Sequence, residues 1–394
     1  MPHRFQVAVI GGGPAGAVTA ARLAAVGEPV ILFDEKLAWE KPCGGGITHK
    51  ALVAWPFLAD ARVERNWVRQ CELIGPSGRR VGLQLEHSVA IFSRRILNGL
   101  LLERARAAGA QIVQDRVIEI ARHAHGWRLH SGKSSWEADY VVIAAGARNA
   151  FRKQFSRPFA AADLMVTAGY CIPGRSQRLT VKFLDDLYGY LWIFPRADHF
   201  SAGICGKMLD GATAQLRRRL EQWLRELGLN YEGAPFYSHI LPSLRAFTLR
   251  DTPLCGEGWA MIGDAAGFVD PMTGEGLYYA MRSAELLSQA LLAGQPEDYA
   301  ELLRRDFLPE LELASQMADR FYTGRWMGEP VVERMLQFIG NSPSFRTLMS
   351  DLFAGTQGYR DLRRRLYLTL PAMLAESLAS ALRLPIGEQT PKAA

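Results

Sequence analysis

The sequence predicts an α/β chain (α+β, two-lobed): a Rossmann-like domain, an antiparallel sheet domain inserted in it, and C-terminal helices. Three observations predict it. A short apolar strand runs straight into a glycine-spaced turn and a helix at Val7–Gly16, VAVIGGGPAG. From about residue 150 to 245 the pattern changes to evenly spaced strands. A second glycine-rich signature then follows at Gly263–Gly276 and leads into another helix.

The first element is the strand of Val7, Val9 and Ile10. Gly11, Gly13 and Gly16 follow in G-x-G-x-x-G spacing, and the helical stretch 17–25 begins at once. Gly11 allows the tight turn, Gly13 the approach of a pyrophosphate, and Gly16 the close packing of helix on strand. The helix start adds free N–H groups and a positive dipole end. A second strand, Pro29–Phe33, ends at Asp34, 18 residues after Gly16, where an acid can accept ribose hydroxyls. Pro14 and Ala15 within the turn, and Glu35 and Lys36 beside Asp34, complete this expected dinucleotide-binding set. The stretch alone leaves FAD and NAD both open.

The next motif is Lys41-Pro42-Cys43-Gly44-Gly45-Gly46. Three successive glycines serve neither helix nor strand. They suit a loop whose backbone passes close to a flat ligand, with Cys43 at its mouth; a flexible loop with an incidental thiol is the alternative. Strands are expected at 70–74 and 80–85, and an amphipathic helix at 93–108. Arg94, in the first turn of that helix, opposes the dipole and calls for a partner such as a cofactor phosphate or ring edge. Segments 111–113, 117–122 and 127–129 read as a small antiparallel meander. The apolar run 140–147 reads as a buried parallel strand ending in Ala145 and Gly146, small enough for close cofactor approach.

In the inserted region, strands are expected at 165–172, 179–183, 190–195 and 199–206, with a helix at 212–227. Within it Tyr188-Gly-Tyr190-Leu-Trp192-Ile-Phe194-Pro195 alternates, placing Tyr190, Trp192 and Phe194 on one face. Such a face is either sheet core or an aromatic wall of a ligand cavity. Then comes the second signature, Gly263-Asp264-Ala-Ala-Gly267-Phe-Val-Asp270-Pro271-Met-Thr-Gly274-Glu275-Gly276, before a helix from Leu277. A strand ending at Gly263 would present Asp264 to ribityl hydroxyls. Pro271 and the Gly274–Gly276 backbone would bring N–H groups and a helix N-terminus to a ring edge. A nicotinamide site needs no second fingerprint, so the pair of signatures selects FAD.

Residues 1–150 and 246–295 are thus read as a discontinuous FAD-binding domain, with 151–245 as substrate domain (parts of 50–95 contributing) and 296–394 as a helical region. There, 360–370 is basic and apolar, and after Pro371 a further helix is expected over 372–384. These helices either pack against the body or rest on a membrane surface. With 48% hydrophobic and 22% charged residues, the 394-residue chain has ample core. Its five scattered cysteines, with no CxxC, argue against a zinc site or disulfide framework. The net charge of +6 comes without any nucleic-acid-binding pattern. A strand starting by residue 7 leads us to expect no cleaved leader, and no apolar run is long enough to span a bilayer. The expected location is cytoplasmic, with a peripheral membrane contact admitted.

With these motifs in hand, the sequence resembles the geranylgeranyl reductase family of FAD-dependent oxidoreductases, within the p-hydroxybenzoate hydroxylase-like flavoproteins. The GGGPAG turn and the Gly263–Gly276 segment are shared by the wider group. Lys41–Gly46 and Tyr190-x-Trp192-x-Phe194-Pro195 are more specific to the reductases. The resemblance implies that Cys43, with Gly44 and Gly45, lies near the isoalloxazine, and that Tyr190, Trp192 and Phe194, with Tyr188 nearby, line a prenyl cavity. It implies that Arg94 contacts FAD. It further implies hydride transfer to carbon–carbon double bonds of a geranylgeranyl or polyprenyl group on a lipid, chlorophyll precursor or quinone, with Cys43 a candidate proton donor. NAD(P)H and a ferredoxin-like donor protein both stay open as reductant. Two other readings use the same scaffold: an FAD-dependent monooxygenase or halogenase, and a non-catalytic flavin- or lipid-binding protein.

Overall fold

A computed structural model describes residues 4–132, 134–209 and 212–382. The part of the expected last helix beyond Leu382, with the rest of the tail to 394, lies outside the described residues. The first sheet is built on β1 (Arg4–Ile10), β2 (Val30–Phe33), β6 (Gln111–Val113), β9 (Ser134–Ile143) and the short β15 (Cys255–Gly256) and β16 (Trp259–Met261). Their order is β15-β16-β9-β1-β2-β6, parallel throughout except for the β15–β16 pair. Continuous apolar runs such as Val30-Ile31-Leu32-Phe33 are fully buried, as a sheet covered on both faces requires. Strands β7 (Val117–His123) and β8 (Gly126–Ser131) form an antiparallel flap on the start of β9.

One expectation is corrected here. Segment 111–113 is not part of that meander but pairs in parallel with β2 at the sheet edge. Three residues carry too little alternation to reveal their partner; the preceding helix, returning them beside β2, decides it. The helices on this sheet are α1 (Pro14–Ala24), α2 (Arg94–Ala107) and α4 (Leu277–Leu292). Small residues let α1 lie close: Ala17 and Ala20 are fully buried, and buried Thr19 returns its hydroxyl to the Ala15 carbonyl at 3.0 Å.

The second sheet runs β14-β10-β13-β12-β11-β4-β5-β3. It joins β10 (Leu164–Pro173), β11 (Arg178–Phe183), β12 (Tyr190–Pro195), β13 (His199–Lys207) and β14 (Phe236–Pro242) to β3 (Gly46–Ile47), β4 (Asn66–Ile74) and β5 (Arg80–Ile91). The strands within residues 46–91 therefore belong to this sheet, through the parallel pairing of β4 with β11. β14 carries no apolar alternation and was not foreseen; seven register pairs with β10 hold it at the edge.

Each face of the second sheet is covered differently. Helix α3 (Ala212–Glu226) packs Leu216, Leu220, Trp223 and Leu224 against Leu191, Ile193 and Ile204. On the other side lie α5 (Leu308–Thr323), α6 (Val331–Asn341), α7 (Pro343–Ala354) and α8 (Tyr359–Ala381), with Leu336, Ile339 and Leu348 fully buried over β4 and β5. The C-terminal helices thus pack on the body. Helix α8 also continues through Pro371, where a break was expected. Proline there removes the bond to the Tyr367 carbonyl, but Pro371 lies on the exposed side, where water can take that carbonyl.

Candidate active site

The carboxyl ends of β1 and β9 open on a cavity of about 450 Å³ that extends from the glycine turn to the far side of the second sheet. At the turn Gly11 has φ +110, and a Cβ there would stand 2.4 Å from the Ala144 carbonyl oxygen. A Cβ on Gly16 would meet the Gly11 oxygen at 1.9 Å, so this glycine sets helix against turn without lining the cavity. Nothing lies within 4 Å of a Cβ on Gly13. The first turn of α1 has neither a side-chain cap nor an acid, which leaves N–H groups facing the opening beside Pro14 and Ala15.

Asp34 lines the same end, but its carboxylate is already engaged. It accepts from the N–H groups of Gly12 (2.7 Å), Lys36 (2.8 Å) and Leu37 (2.6 Å). Roughly four lone-pair sites on a carboxylate leave little capacity beyond these three. The side chains of Glu35 and Lys36 point elsewhere: Glu35 pairs with Arg116 at 3.9 Å and Lys36 lies over Trp39. Neither lines the cavity.

The middle of the cavity is charged. Asp264 sits in a one-turn 3-10 segment after β16, which ends at Met261, two residues short of the expected Gly263. Gly263 itself does not line the cavity; its φ of +57 and close approach to Ala15 seat the Asp264 turn on α1. Lys41 Nζ reaches Asp264 Oδ2 at 3.3 Å. Burial opposes ionisation of Asp264, yet the Lys41 ammonium beside it holds its carboxyl below the usual range. His239, on β14, lines the cavity too; burial first and then Lys41 lower its imidazole to about 4, so it is neutral at pH 7. Arg94 is buried at 3% exposure, with Nη2 donating to Asn98 at 3.3 Å.

Farther in lie the Cys43 loop and the aromatic strand. The Gly45 N–H donates to Cys43 Sγ at 3.3 Å. The Cys43 carbonyl accepts from Arg196 Nη2 at 2.6 Å and Ser201 Oγ at 2.9 Å. Arg196 is 2% exposed, and also pairs with Glu40 and bonds His199 at 3.1 Å. Gly44, Gly45 and Gly46 line the cavity, and Gly44 and Gly46 also lie against a ring of the protein itself. A Cβ on Gly44 would stand 2.7 Å from Phe194 Cδ2, and one on Gly46 3.3 Å from Phe194 Cε2. Gly45 has φ +85 and lies against the Phe92 carbonyl.

Tyr190, Trp192 and Phe194 all line the cavity, while Leu191 and Ile193 on the other face meet α3. Tyr190 and Trp192 meet edge to face at 6.0 Å. The Tyr190 hydroxyl donates to the Thr273 carbonyl at 2.5 Å, and Trp192 Nε1 to Ser201 Oγ at 3.4 Å. The face is therefore both sheet core and cavity wall. Tyr188 does not line the cavity; its ring packs on Tyr322 at 4.9 Å. Ala145, Gly146, Pro271, Gly274, Glu275, Gly276 and Leu277 are brought to the same opening. Glu275 accepts from Thr48 Oγ1 at 2.9 Å and pairs with Lys50 at 3.5 Å.

Sequence reasoning missed His239, Asn98 and Ser201, which sit in strands or a helix without a motif, and Arg196, in the loop just after β12. It also missed the inner wall from α5–α7, including Phe321, Met335 and Met349. Arg196 had a signal, as a charge directly after an apolar strand ending in Phe194-Pro195.

These residues fit a dinucleotide. Among the described residues, Arg94 Nε and His239 Nε2 are buried with no hydrogen-bond partner, both in the cavity wall. Buried polar groups in native proteins are nearly always bonded, so two orphans in one cavity match a polar ligand. The bare glycine cradle and the uncapped α1 match its pyrophosphate.

Fold and site together define a flavin-linked oxidoreductase with a Rossmann-type domain. The pyridine nucleotide-disulphide oxidoreductase family matches residues 5–154. The chain is similar to the chloroplastic geranylgeranyl diphosphate reductase of Arabidopsis thaliana, 26% identical over 375 residues, covering 84% of this chain and 77% of that one. Among solved structures it is similar to a geranylgeranyl bacteriochlorophyll reductase-like protein from Thermoplasma acidophilum, with TM-score 0.72 and 18% identity, covering 93% and 99% of the two chains. A flavin-dependent brominase shares the fold at TM-score 0.69 and 17% identity, over 92% and 98%. The protein is an FAD-dependent oxidoreductase, and the geranylgeranyl reductases are among the proteins it is similar to.

Proposed function

We propose that the protein reduces carbon–carbon double bonds in a geranylgeranyl or other polyprenyl group. One observation carries this reading. A single cavity joins the glycine turn, Arg94 and Asp264 at one end to a wall of Leu85, Leu179, Val181, Phe183, Met335 and Met349 at the other. A long apolar chain entering that end is held by contact alone, at about 25 cal/mol per Å² buried.

When bound, reduced FAD supplies the hydride. An isolated alkene has no carbonyl to polarise, so the protein must place it closely, exclude water and deliver a proton to the second carbon. Tyr190, Trp192 and Phe194 serve the first two needs. Cys43 is the thiol at the junction, with its sulfur directed by the Gly45 N–H and its carbonyl clamped by Arg196 and Ser201. We assign it the proton, or the positioning of the ring. Lys41 and Asp264 would hold the polar end of the cofactor, with Arg94 and His239 supplying the unused donor and acceptor.

The test is anaerobic. Flavin reduced with dithionite is mixed with geranylgeranyl lipids, and flavin absorbance and product mass are followed. Reoxidation with a product heavier by one H2 per bond is expected. No reoxidation until oxygen is admitted, followed by substrate-dependent turnover, would overturn the reductase reading in favour of a monooxygenase. Repeating the reduction with NAD(P)H or a ferredoxin in place of dithionite identifies the electron donor.

A further inference from the structure

Helix α8 carries an apolar face that the fold does not cover. Tyr367, Leu368, Leu370, Leu374, Leu378 and Leu382 are between 44% and 70% exposed. At about 100° per residue these six side chains fall on one arc roughly 160° wide. The opposite face is fixed: Leu362 and Met373 are buried, and Glu376 accepts from Ser344 Oγ at 2.6 Å and from the Ser344 N–H at 3.1 Å at the start of α7. The exposure therefore belongs to a docked helix with a defined outer side. No acid or base interrupts the arc from Leu366 to Leu382, since Glu376 lies on the inner side.

Charge marks one end of the same arc. Arg360, Arg363 and Arg364 project on it one to two turns before Tyr367. Among the described residues Arg363 and Arg364 form no ion pair, and Arg360 has only Glu310 at 3.9 Å. Arg365 points sideways and is spent on Asp351 at 2.8 Å. Surface arginines that outnumber the one neighbouring acid, Asp361, next to an uninterrupted apolar stripe, complement an anionic phosphate layer over hydrocarbon. A second copy packed parallel on the same stripe would set like arginines together, and one packed antiparallel would leave them without an anionic partner. No described helix is long and apolar enough to cross a membrane, so the geometry is that of a helix lying in the interface plane.

The helix starts at the cavity wall. Gly355 and Phe353, just before it, line the cavity. Tyr359, at its first position, donates to Asp270 Oδ2 at 2.8 Å, and Asp270 caps the turn at Met272 and Thr273, both lining residues.

We infer that the outer face of α8 docks the protein on an anionic lipid bilayer, which sets the cavity wall beside the membrane surface. The inference stands on α8 itself and not on the reductase reading, and vesicle binding tests it without any substrate.

The experiment is co-sedimentation of the full-length, flavin-loaded protein with phosphatidylcholine vesicles with and without phosphatidylglycerol. We expect binding to the anionic vesicles that weakens at high salt. Arg363→Gln and Arg364→Gln should each lower it about fivefold. The double variant Leu374→Glu, Leu378→Glu should lower it at least tenfold, while flavin content and melting temperature stay unchanged because both side chains are exposed. If that pair fails to fold, Tyr367→Ser replaces it. Absence of binding, equal binding to neutral vesicles, or indifference to these variants would overturn the inference. So would a dimer in sedimentation velocity that the leucine variants dissociate, which assigns the face to a second copy. So would binding that appears only after residues 383–394 are removed, which assigns the face to the chain's own tail. Loss of prenyl reduction with vesicle binding intact would instead count against the proposed function alone.

Discussion

Replacing Gly44 by alanine tests whether the triple glycine exists for Phe194. The added methyl would stand 2.7 Å from Phe194 Cδ2, whereas ordinary contact begins near 3.4 Å. The ring must then retreat by about 0.7 Å, the difference of those two distances, in a well-packed wall. Overpacking of this kind costs about 1–3 kcal/mol, which appears as a fall of a few degrees in melting temperature. Gly46→Ala, at 3.3 Å, should cost less. Gly45→Ala should cost most, since φ is +85 and the obstacle at 2.1 Å is the Phe92 carbonyl rather than a side chain. The decisive assay is a double-mutant cycle. Thermal and urea unfolding of Gly44→Ala, Phe194→Leu and the pair should show that the smaller side chain relieves the methyl, with a coupling of about 0.5–3 kcal/mol. Additive losses, or a Gly44→Ala protein as stable as the parent, would refute the packing argument and return the glycines to direct contact with a ligand.

Three further outcomes are expected. Cys43→Ser should retain FAD while lowering turnover in single-turnover reduction of a prenyl substrate; unchanged turnover would remove the thiol from the chemistry. Arg94→Gln should weaken FAD binding by about tenfold, the worth of one charge-assisted hydrogen bond, measured by flavin fluorescence titration of the apoprotein. His239, with its imidazole lowered to about 4 by burial and Lys41, is neutral in the fold when the unfolded chain, near 6.5, is already protonated. Between those values the unfolded state binds more protons, so this contribution is present above pH 6.5 and is lost on acidification, by about 2 kcal/mol at pH 5. Urea melts of the flavin-free protein should show it, and His239→Gln should flatten that part of the profile.

The parts of the fold legible in the sequence are those in which local spacing carries the constraint. The GGGPAG turn needs its glycines at fixed offsets because a Cβ on Gly11 or Gly16 would meet backbone atoms at 2.4 and 1.9 Å. The strand alternation of Tyr190, Trp192 and Phe194 translates directly into one lined face. What escaped were features fixed by partners far away in the chain. Nothing local in Phe236–Pro242 announces a strand, because pairing with β10 makes it one. The glycines 44–46 announce close approach but not to what: Gly44 meets Phe194, 150 residues away, and Gly45 meets the Phe92 carbonyl. His239 looks ordinary until the fold sets it beside Lys41 and Asp264. Glu35 and Lys36 follow Asp34 in sequence, but Glu35 pairs with Arg116 and Lys36 lies over Trp39.

The arrangement of the second sheet, drawn from 46–91 and again from 164–242, has a consequence for biosynthesis. Its central pairing of β4 with β11 waits on about a hundred intervening residues. The inner cavity wall comes later still, from α5–α7, so the apolar side of β4 and β5 stays bare while everything between is synthesised. During that interval the nascent chain presents Leu73, Leu83 and Leu85 to solvent, a surface of the sort chaperones hold. The same interval leaves the glycine turn and the unfinished chamber accessible from a side that the finished protein closes. A flavin bound early would enter by a door that later helices shut.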